Sequence, residues 1–243
     1  MFELDSSLVN KDVLKVVCLG RMADIWKKSP EFKDISYLEG SPMDADSWRR
    51  VNLGVIVADA AEDGILDEVR KSVAAAREHE LCLFVMLLSA EPIELKTAVL
   101  SITADKIADE HEFCAFVHKS IKAIETITSC YEEVSLDFED VKEILADSGQ
   151  VGFGYGEGNG EKACETAAKA ALEQLETMFG GISQAKGILL HVIGREDNLS
   201  MTEIFEVTKT VQNRTNADCN IIWGSSIDNS LDDGVRVILL TRS

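Results

Sequence analysis

The chain has 243 residues, 46% of them hydrophobic, which is enough to bury a sizeable core in one large domain or two ordinary ones. Asp and Glu number 43 against 24 Lys and Arg, so the formal charge of −19 opposes binding to nucleic acid or anionic membranes. The N-terminus has no leader pattern, and no apolar run reaches the roughly 18 residues of a membrane span. These features predict a cytoplasmic globular protein.

The first half of the chain alternates short apolar runs with amphipathic stretches. Four runs rich in β-branched residues span 14–19, 53–58, 81–88 and 98–102, and a weaker run spans 35–38. Such continuous hydrophobicity is typical of strands covered on both faces. Helical spacing of apolar residues occupies 21–28, 44–50 and 65–80. The alternation predicts an α/β fold with a parallel, doubly wound, Rossmann-like sheet.

The second half begins with two predicted helices. One spans about 110–129 with its apolar face against the sheet, and the other starts at Asp137, which caps it, with Asp140 at the capping-box position. The next predicted elements are a strand at 150–153, a glycine turn, a helix at 161–175, a strand at 187–194, a helix at 201–214 and strands at 219–226 and 234–242. We expect the last two strands to pair. Because no flexible linker separates the halves, we also expect one rigid body.

A glycine-rich stretch lies between the strand at 150–153 and the following helix. Glycine occupies every second position from Gly152 to Gly160, and a glycine turn before a helix is a common anion site. The dinucleotide fingerprint and the P-loop pattern both fail here, and Glu157 and Glu161 would repel a phosphate. The stretch therefore predicts a strand end and a tight connection, where missing Cβ atoms permit positive φ and close packing.

Cysteines and histidines give no metal-ligand pattern. The six cysteines are Cys18, Cys82, Cys114, Cys130, Cys164 and Cys219. They have no CxxC pair and stand mostly beside apolar residues, which predicts buried free thiols in a reducing compartment. His111 and His118 are seven residues apart on roughly one helix face, but two histidines make an incomplete site. We therefore predict no metal site.

Several motifs follow one another from Val134 onward. They are VSLDFEDVKEILADSGQVGFGYGEGNGEKACETAA, SQAKGILLHVIG and NIIWGSSIDNSLDDGVRVILL. The first is similar to the catalytic-loop segment of FtsZ, the prokaryotic member of the tubulin superfamily, which reads I-N-V-D-F-A-D-V and then G-x-G, G-E and A-x-x-x-A-A. The others resemble the S-G-A-K-G-x-L-x-x-I-T-G and V-I-x-G-T-S-x-D patterns of the same family. The resemblance covers residues 134–243, with the N-terminal half weaker.

The resemblance implies an FtsZ/tubulin-like two-domain architecture. It places a reduced Rossmann-like domain of the GTPase type at 1–109, a central helix and connection at 110–133, and an FtsZ-like C-terminal α/β domain at 134–243. In the family, GTP binds the first domain of one subunit, and the catalytic loop of the next subunit supplies two carboxylates that orient the attacking water.

The two acidic positions of the catalytic loop are matched by Asp137 and Asp140, while Ser135 stands where the family has Asn. Carboxylates three residues apart share one end of a helix, which suits the positioning of a water. Capping of the helix is the alternative role for both side chains.

The nucleotide-binding half departs from the family pattern. The family's first strand ends in several glycines, whereas here Gly20 leads directly into RMA. Where G-G-G-T-G-T-G should wrap the phosphates, the sequence reads DAAEDGILDEV, in which Asp59, Glu62 and Asp63 are carboxylates and only Gly64 remains. The departure predicts a degenerate site. If a nucleotide binds, Gly20, Asp59 and Gly64 are expected to contact it.

Two further departures concern the base and the C-terminus. Cys114 and Ala115 occupy the place of the Asn-Asp pair that contacts guanine, which predicts loss of base recognition. The chain stops at Ser243, so we expect the linker and the peptide by which FtsZ recruits membrane adaptors to be absent.

Our leading hypothesis is a relative of FtsZ that works without a cofactor, by association with itself or with a true FtsZ subunit. The competing hypothesis is an atypical polymerising GTPase that binds GTP or GDP with Mg²⁺ through rebuilt loops. A third possibility is a scaffold with no link to cell division.

Overall fold

The computed structural model describes residues 14–129, 134, 136–145, 149–232 and 234–243. The strands are β1 (Leu14–Cys18), β2 (Leu53–Asp59), β3 (Cys82–Ser89), β4 (Ala98–Thr103), β5 (Gly149–Asn159), β6 (Gly187–Gly194), β7 (Asn220–Ile227) and β8 (Gly234–Arg242). The α-helices are α1 (Arg21–Lys28), α2 (Ile65–Ala76), α3 (Glu110–Ser129), α4 (Phe138–Leu145), α5 (Ala163–Phe179) and α6 (Met201–Gln212).

All eight strands belong to one sheet, in the order β1-β2-β3-β4-β5-β8-β6-β7. The first four strands are parallel, as predicted, and β8 runs antiparallel between β5 and β6. The halves join where Ala98 pairs with Gly149 and Val99 pairs with Gln150. The expectation that the last two strands pair was wrong, because β8 inserts beside β5 and leaves β7 paired with β6.

Helices cover both faces of the sheet. On one face a continuous core joins α1, α3 and α4 to both halves of the sheet, through side chains such as Val55, Phe113 and Leu240. On the other face α2 packs on β1–β3, and α5 with α6 packs on the second half, in two separate cores. Each strand alternates its side chains between the faces, so apolar residues at successive positions fill both layers.

The glycine-rich stretch lies within a strand. Gly152, Gly154, Gly156 and Gly158 alternate along β5 and face α5. A Cβ on Gly154 would lie 2.5 Å from the carbonyl oxygen of Ala171, and one on Gly156 or Gly158 would also collide with the α5 backbone. The prediction of close packing is confirmed, whereas the predicted strand end at residue 153 was wrong. Only Gly160, after the strand, has the positive φ, 75°.

Three smaller predictions need correction. The helix predicted at 44–50 is a 3-10 turn, Ala45–Trp48, because the buried indole of Trp48 is held by its bond to the Pro42 carbonyl oxygen, 2.8 Å away. The weak strand at 35–38 contributes a single bridge between Val16 and Tyr37. Helix α2 ends at Ala76, four residues earlier than predicted.

The described cysteines are free thiols, as predicted. Cys82, Cys114 and Cys164 are buried, while Cys18 and Cys219 are half-buried; Cys130 lies outside the described residues. Burial raises the pKa of Cys82 and Cys114 to about 12. Within the described ranges, none of the helices is long and apolar enough to cross a membrane.

Candidate functional site

The carboxyl ends of the first two strands carry most of the predicted nucleotide-binding residues. β1 ends at Cys18 and reaches α1 through Gly20, whose φ of 56° places it in the left-handed region. β2 ends at Asp59. In an open α/β sheet this edge is where ligands bind, because the strand ends and helix N-termini converge there. We call it the carboxyl edge of the sheet.

Arg21 and Asp59 form an ion pair at this edge. The Arg21 Nη2 donates to Asp59 Oδ2, and Asp59 Oδ1 accepts from the Ala61 N–H at 2.9 Å. The same guanidinium lies 3.3 Å from Glu110 Oε1 at the start of α3. The hydrogen bond that Arg21 donates to Asp59 raises the pKa of Arg21 above its usual value. Asp59, 3% exposed, is therefore a structural counter-ion in this conformation.

Glu62 closes the N-terminus of α1. Its Oε2 accepts the backbone N–H of Arg21 at 3.0 Å, one of the groups that a helix leaves without an internal partner. A Cβ on Gly20 would lie 2.5 Å from Glu62 Oε1, so the carboxylate is seated directly against the glycine. A helix N-terminus stabilises an anion, and here the anion is a side chain of the same protein.

Gly64 has a separate role at this edge. It is the N-cap of α2 with φ 78° and ψ −10°, and its carbonyl oxygen accepts from the Asp67 and Glu68 backbones. Asp67 and Glu68 also place two carboxylates in the first turn of the helix, where their negative charge interacts favourably with the helix dipole. The structure thus brings Gly20 and Asp59 together around Arg21 and Glu62, with Gly64 at the start of the neighbouring helix.

Arg21 and Glu110 were not predicted as site residues. Arg21 and Glu110 belong to α1 and α3, far in sequence from the carboxylates after β2, so the sequence did not reveal that these carboxylates have a counter-ion. One signal was available: an arginine stands directly after the glycine that ends the first strand, at the edge where the carboxylates of the second strand must lie.

The position where the family has its guanine-contacting pair is filled here by a core contact. Cys114 is fully buried in α3, and its Sγ donates to the Met22 Sδ of α1 at 3.7 Å. The thiol therefore packs α3 against α1. His111 and His118, on either side of Cys114 in this helix, bond separately to Glu31 at 3.1 Å and Asp34 at 2.8 Å. Across the described residues, no three His, Cys, Asp or Glu side chains are grouped to hold a metal ion.

Asp137 and Asp140 form a reciprocal capping box at the start of α4. The Asp137 N–H donates to Asp140 Oδ2 at 2.7 Å, and the Asp140 N–H donates to Asp137 Oδ1 at 3.1 Å. Each carboxylate thus satisfies a backbone donor of the helix end, which is the alternative role that the sequence left open. Ser135, the third predicted member of this loop, lies outside the described residues.

The catalytic-loop match begins beside β7, the outermost strand on the side of the sheet away from β1. Val134 accepts from the Ser225 N–H of β7 at 3.1 Å, and Leu136 packs over Gly224. Helix α4 then lies along the amino ends of the strands, where the side-chain amide of Asn220 in β7 donates to Glu143 Oε1 at 2.8 Å. We call this the amino edge of the sheet. The amino edge is therefore a full strand length, about 20 Å for seven residues, from the carboxyl edge. One chain does not bring the two sets of residues together.

The second half of the chain is similar to a known protein family. A family model described as the C-terminal domain of the FtsZ family matches residues 149–242. Cell division protein FtsZ 1 of Methanocaldococcus jannaschii is 34% identical over 137 residues, which are 56% of this chain and 36% of that protein. Mitochondrial division protein fszA of Dictyostelium discoideum is 35% identical over 124 residues, 51% of this chain and 24% of that protein.

Solved structures share the fold over a larger part of the chain. An FtsZ dimer of M. jannaschii has a TM-score of 0.66 at 20% identity and covers 82% of this chain and 65% of that one. A GTPγS-bound protofilament of CetZ2 from Haloferax volcanii has a TM-score of 0.64 at 12% identity, covering 93% and 82%. These values confirm the predicted two-domain α/β fold.

Residues 149–242 are therefore similar to the C-terminal domain of the FtsZ family, and the chain shares its fold with solved FtsZ and CetZ2 structures. The matched region spans about a third or less of the length of the curated relatives, 36% and 24%.

Proposed function

We propose that this FtsZ-like protein acts by protein association and that its own side chains close its nucleotide site. The observation that carries the proposal is the seat of Glu62, whose carboxylate accepts the α1 N–H beside Gly20. A phosphate that entered this position would have to displace the Glu62 carboxylate. A phosphate and the Glu62 carboxylate are both negatively charged, so the carboxylate opposes phosphate binding at this position.

The proposed partner surface is the amino edge, with Asp137 and Asp140. In a head-to-tail assembly, one edge of each subunit meets the opposite edge of the next, so a subunit with only one competent edge ends the row. A chain whose carboxyl edge is closed would therefore dock onto the nucleotide face of a true FtsZ subunit and cap or modulate the filament. Self-association through the same edges is the other form of this proposal.

The first experiment is a calorimetric titration with GTP, GDP and ATP, with and without Mg²⁺. We expect no binding up to millimolar nucleotide by the wild type and a gain of affinity in Glu62→Gln, which removes the charge from the α1 N-terminus. Asp63→Asn is the matched control, since it removes a neighbouring exposed carboxylate that makes no bond to α1. Micromolar binding by the wild type would contradict the closed site.

The second experiment adds the purified protein to FtsZ from the same organism and measures polymerisation and GTPase rate. We expect both to change at substoichiometric amounts, and Asp137→Lys to weaken the effect. Glu39→Lys, at an exposed carboxylate on a different surface loop, is the control. If neither rate responds to the wild-type protein, docking onto FtsZ is wrong.

The competing function is an atypical nucleotide-binding GTPase. It is favoured by the fold it shares with the GTPγS-bound protofilament of CetZ2 and by the separation of its two candidate sites to opposite edges, as a site completed between subunits requires. For this function Glu62 has to swing away, and its one-third exposed side chain has room to do so. The same titration separates the two functions, because only this one predicts tight binding by the wild type.

A further inference from the structure

A groove lies between the C-terminal half of α2 and the connection from β3 to β4. Parallel strands are usually joined through a helix, but β3 and β4 are joined by residues 90–97, which form none. A cavity of about 620 Å³ lies between this connection and α2. Its apolar lining comes from Val73 and Ala74 of α2 and from Leu95 of the connection. We call this cavity the crossover groove.

The rim of the crossover groove is basic. Arg70, Arg77 and Lys96 line it, with Glu94 as the acidic member of the lining. Arg70 also pairs with Asp67 at 3.1 Å, an exposed contact that leaves the guanidinium in solvent. A local excess of positive charge stands out in a chain of formal charge −19. It favours an occupant that is acidic around an apolar centre.

Such a surface occurs on α6 of the same protein. Met201 and Phe205, one helical turn apart, are 60% and 66% exposed, more than any other large hydrophobic side chain in the described ranges. The helix anchors itself through Ile204, Val207 and Val211, so its packing does not need them. Residues 195–209 hold four acidic side chains against two basic ones. We call Met201 and Phe205 the α6 knob.

We propose that the crossover groove receives the α6 knob of a second copy of this chain. An exposed aromatic side chain that fills an apolar pocket inside a charged rim is the usual anchor of a protein interface. Copies of so acidic a protein repel one another overall, but the basic rim of the groove attracts the acidic side chains around the α6 knob. Because groove and knob are different surfaces, a bound pair still has one free groove and one free knob, and the assembly extends.

The contact goes beyond the proposed function, because it uses neither Glu62 nor Asp137 and Asp140, and it needs no nucleotide or FtsZ. Sedimentation velocity without nucleotide measures it directly. We expect the wild-type protein to associate with rising concentration, more strongly at low salt, and Phe205→Ser to weaken association by about tenfold or more. Met43→Ser is the matched control, since Met43 is 45% exposed far from α6 in sequence, and it should associate like the wild type.

A charge exchange tests the pairing of the two surfaces. Lys96→Glu and Glu206→Lys should each weaken association, and the double variant should recover most of it, because both positions are exposed and the opposite charges meet again. Circular dichroism and melting temperature confirm that each variant folds. A wild type that stays monomeric at all concentrations, a Phe205→Ser that associates normally, or a double variant weaker than both single ones would each overturn the proposal.

Discussion

The two edges of the sheet both carry carboxylates, but they use them differently. At the carboxyl edge Asp59 is buried and neutralised by Arg21, and Glu62 satisfies the N-terminus of α1. At the amino edge Asp137 and Asp140 satisfy backbone donors of their own helix and still face solvent. The contrast shows that the role of a carboxylate depends on the hydrogen-bond and ion-pair partners that it already has. At the carboxyl edge the carboxylates occupy the candidate nucleotide site, whereas at the amino edge they remain accessible to another protein.

The largest expected effect comes from His191, which lies between the edges in the middle of β6. Burial lowers its pKa to about 4, and its Nε2 bonds to the Ser226 hydroxyl at 2.9 Å. The unfolded chain binds the proton near pH 6.5 and the folded chain only near pH 4, so protons favour unfolding in this window. Stability should fall by about 3 kcal/mol from pH 7 to pH 4 on account of this residue.

Urea unfolding as a function of pH measures this loss, with His191→Gln as the variant that lacks the titrating group. Its profile should be flatter between pH 4 and 6.5 than that of the wild type. The pH dependence that remains then belongs to the carboxylates, including those of the two edges. Parallel profiles for variant and wild type would assign the acid sensitivity to those carboxylates alone.

Arg21→Met tests the closed edge. It leaves Asp59 buried without its counter-ion, which typically costs several kcal/mol for a fully buried pair. Because the Arg21 side chain is 48% exposed, we expect a smaller loss in the free energy of unfolding, about 2 kcal/mol. Arg49→Met is the control, since its pair with Asp46 is exposed and should contribute at most a few tenths of a kcal/mol.

Asp140→Ala tests the open edge. The substitution removes half of the capping box and should cost about 1 kcal/mol, seen as a lower urea midpoint with an unchanged slope. Glu139→Ala, on the exposed neighbour that makes no cap, should change the midpoint little. If Asp140→Ala lowered the free energy of unfolding as much as Arg21→Met does, the carboxylates of the two edges would contribute equally to stability.

Glu62→Gln should have the smallest effect on folding. The amide still accepts the Arg21 N–H, and only a partly exposed ion pair 4.0 Å long is lost, so the free energy of unfolding should change by about 0.5 kcal/mol or less. Thermal unfolding with and without GTP then isolates the ligand effect. Nucleotide should raise the melting temperature of this variant more than that of the wild type.

Local pattern predicted most of the fold. The strands at 187–194 and 234–242 have the predicted bounds, because apolar β-branched runs bounded by glycine or arginine admit few alternatives. The length of β5 was not predictable in this way. Glycine ordinarily weakens a strand, and Gly152–158 are accommodated only because the alanines of α5 approach the backbone closely. The position of β8 likewise depends on which edge of β5 is open, and chain order does not carry that information.

The candidate site was predictable only in part. The sequence located the carboxylates of both edges and the capping pattern of Asp137 and Asp140, since these are local features. It could not supply the ion pair of Arg21 with Asp59 or the contact with Glu110, which join three elements far apart in the chain. It also left open whether Glu62 points to solvent or to α1, a choice made by packing against Gly20.

The short pairing of β4 with β5 has a mechanical consequence. Ala98 with Gly149 and Val99 with Gln150 are the ladder positions that join the two halves of the sheet, so a shear force between the halves is resisted there by few backbone bonds. Val99, Gly149 and Gln150 also line the cavity that adjoins the crossover groove. Because Glu94 and Leu95 line both cavities, a neighbour seated in the crossover groove would bind directly beside this junction, on the connection that leads into β4.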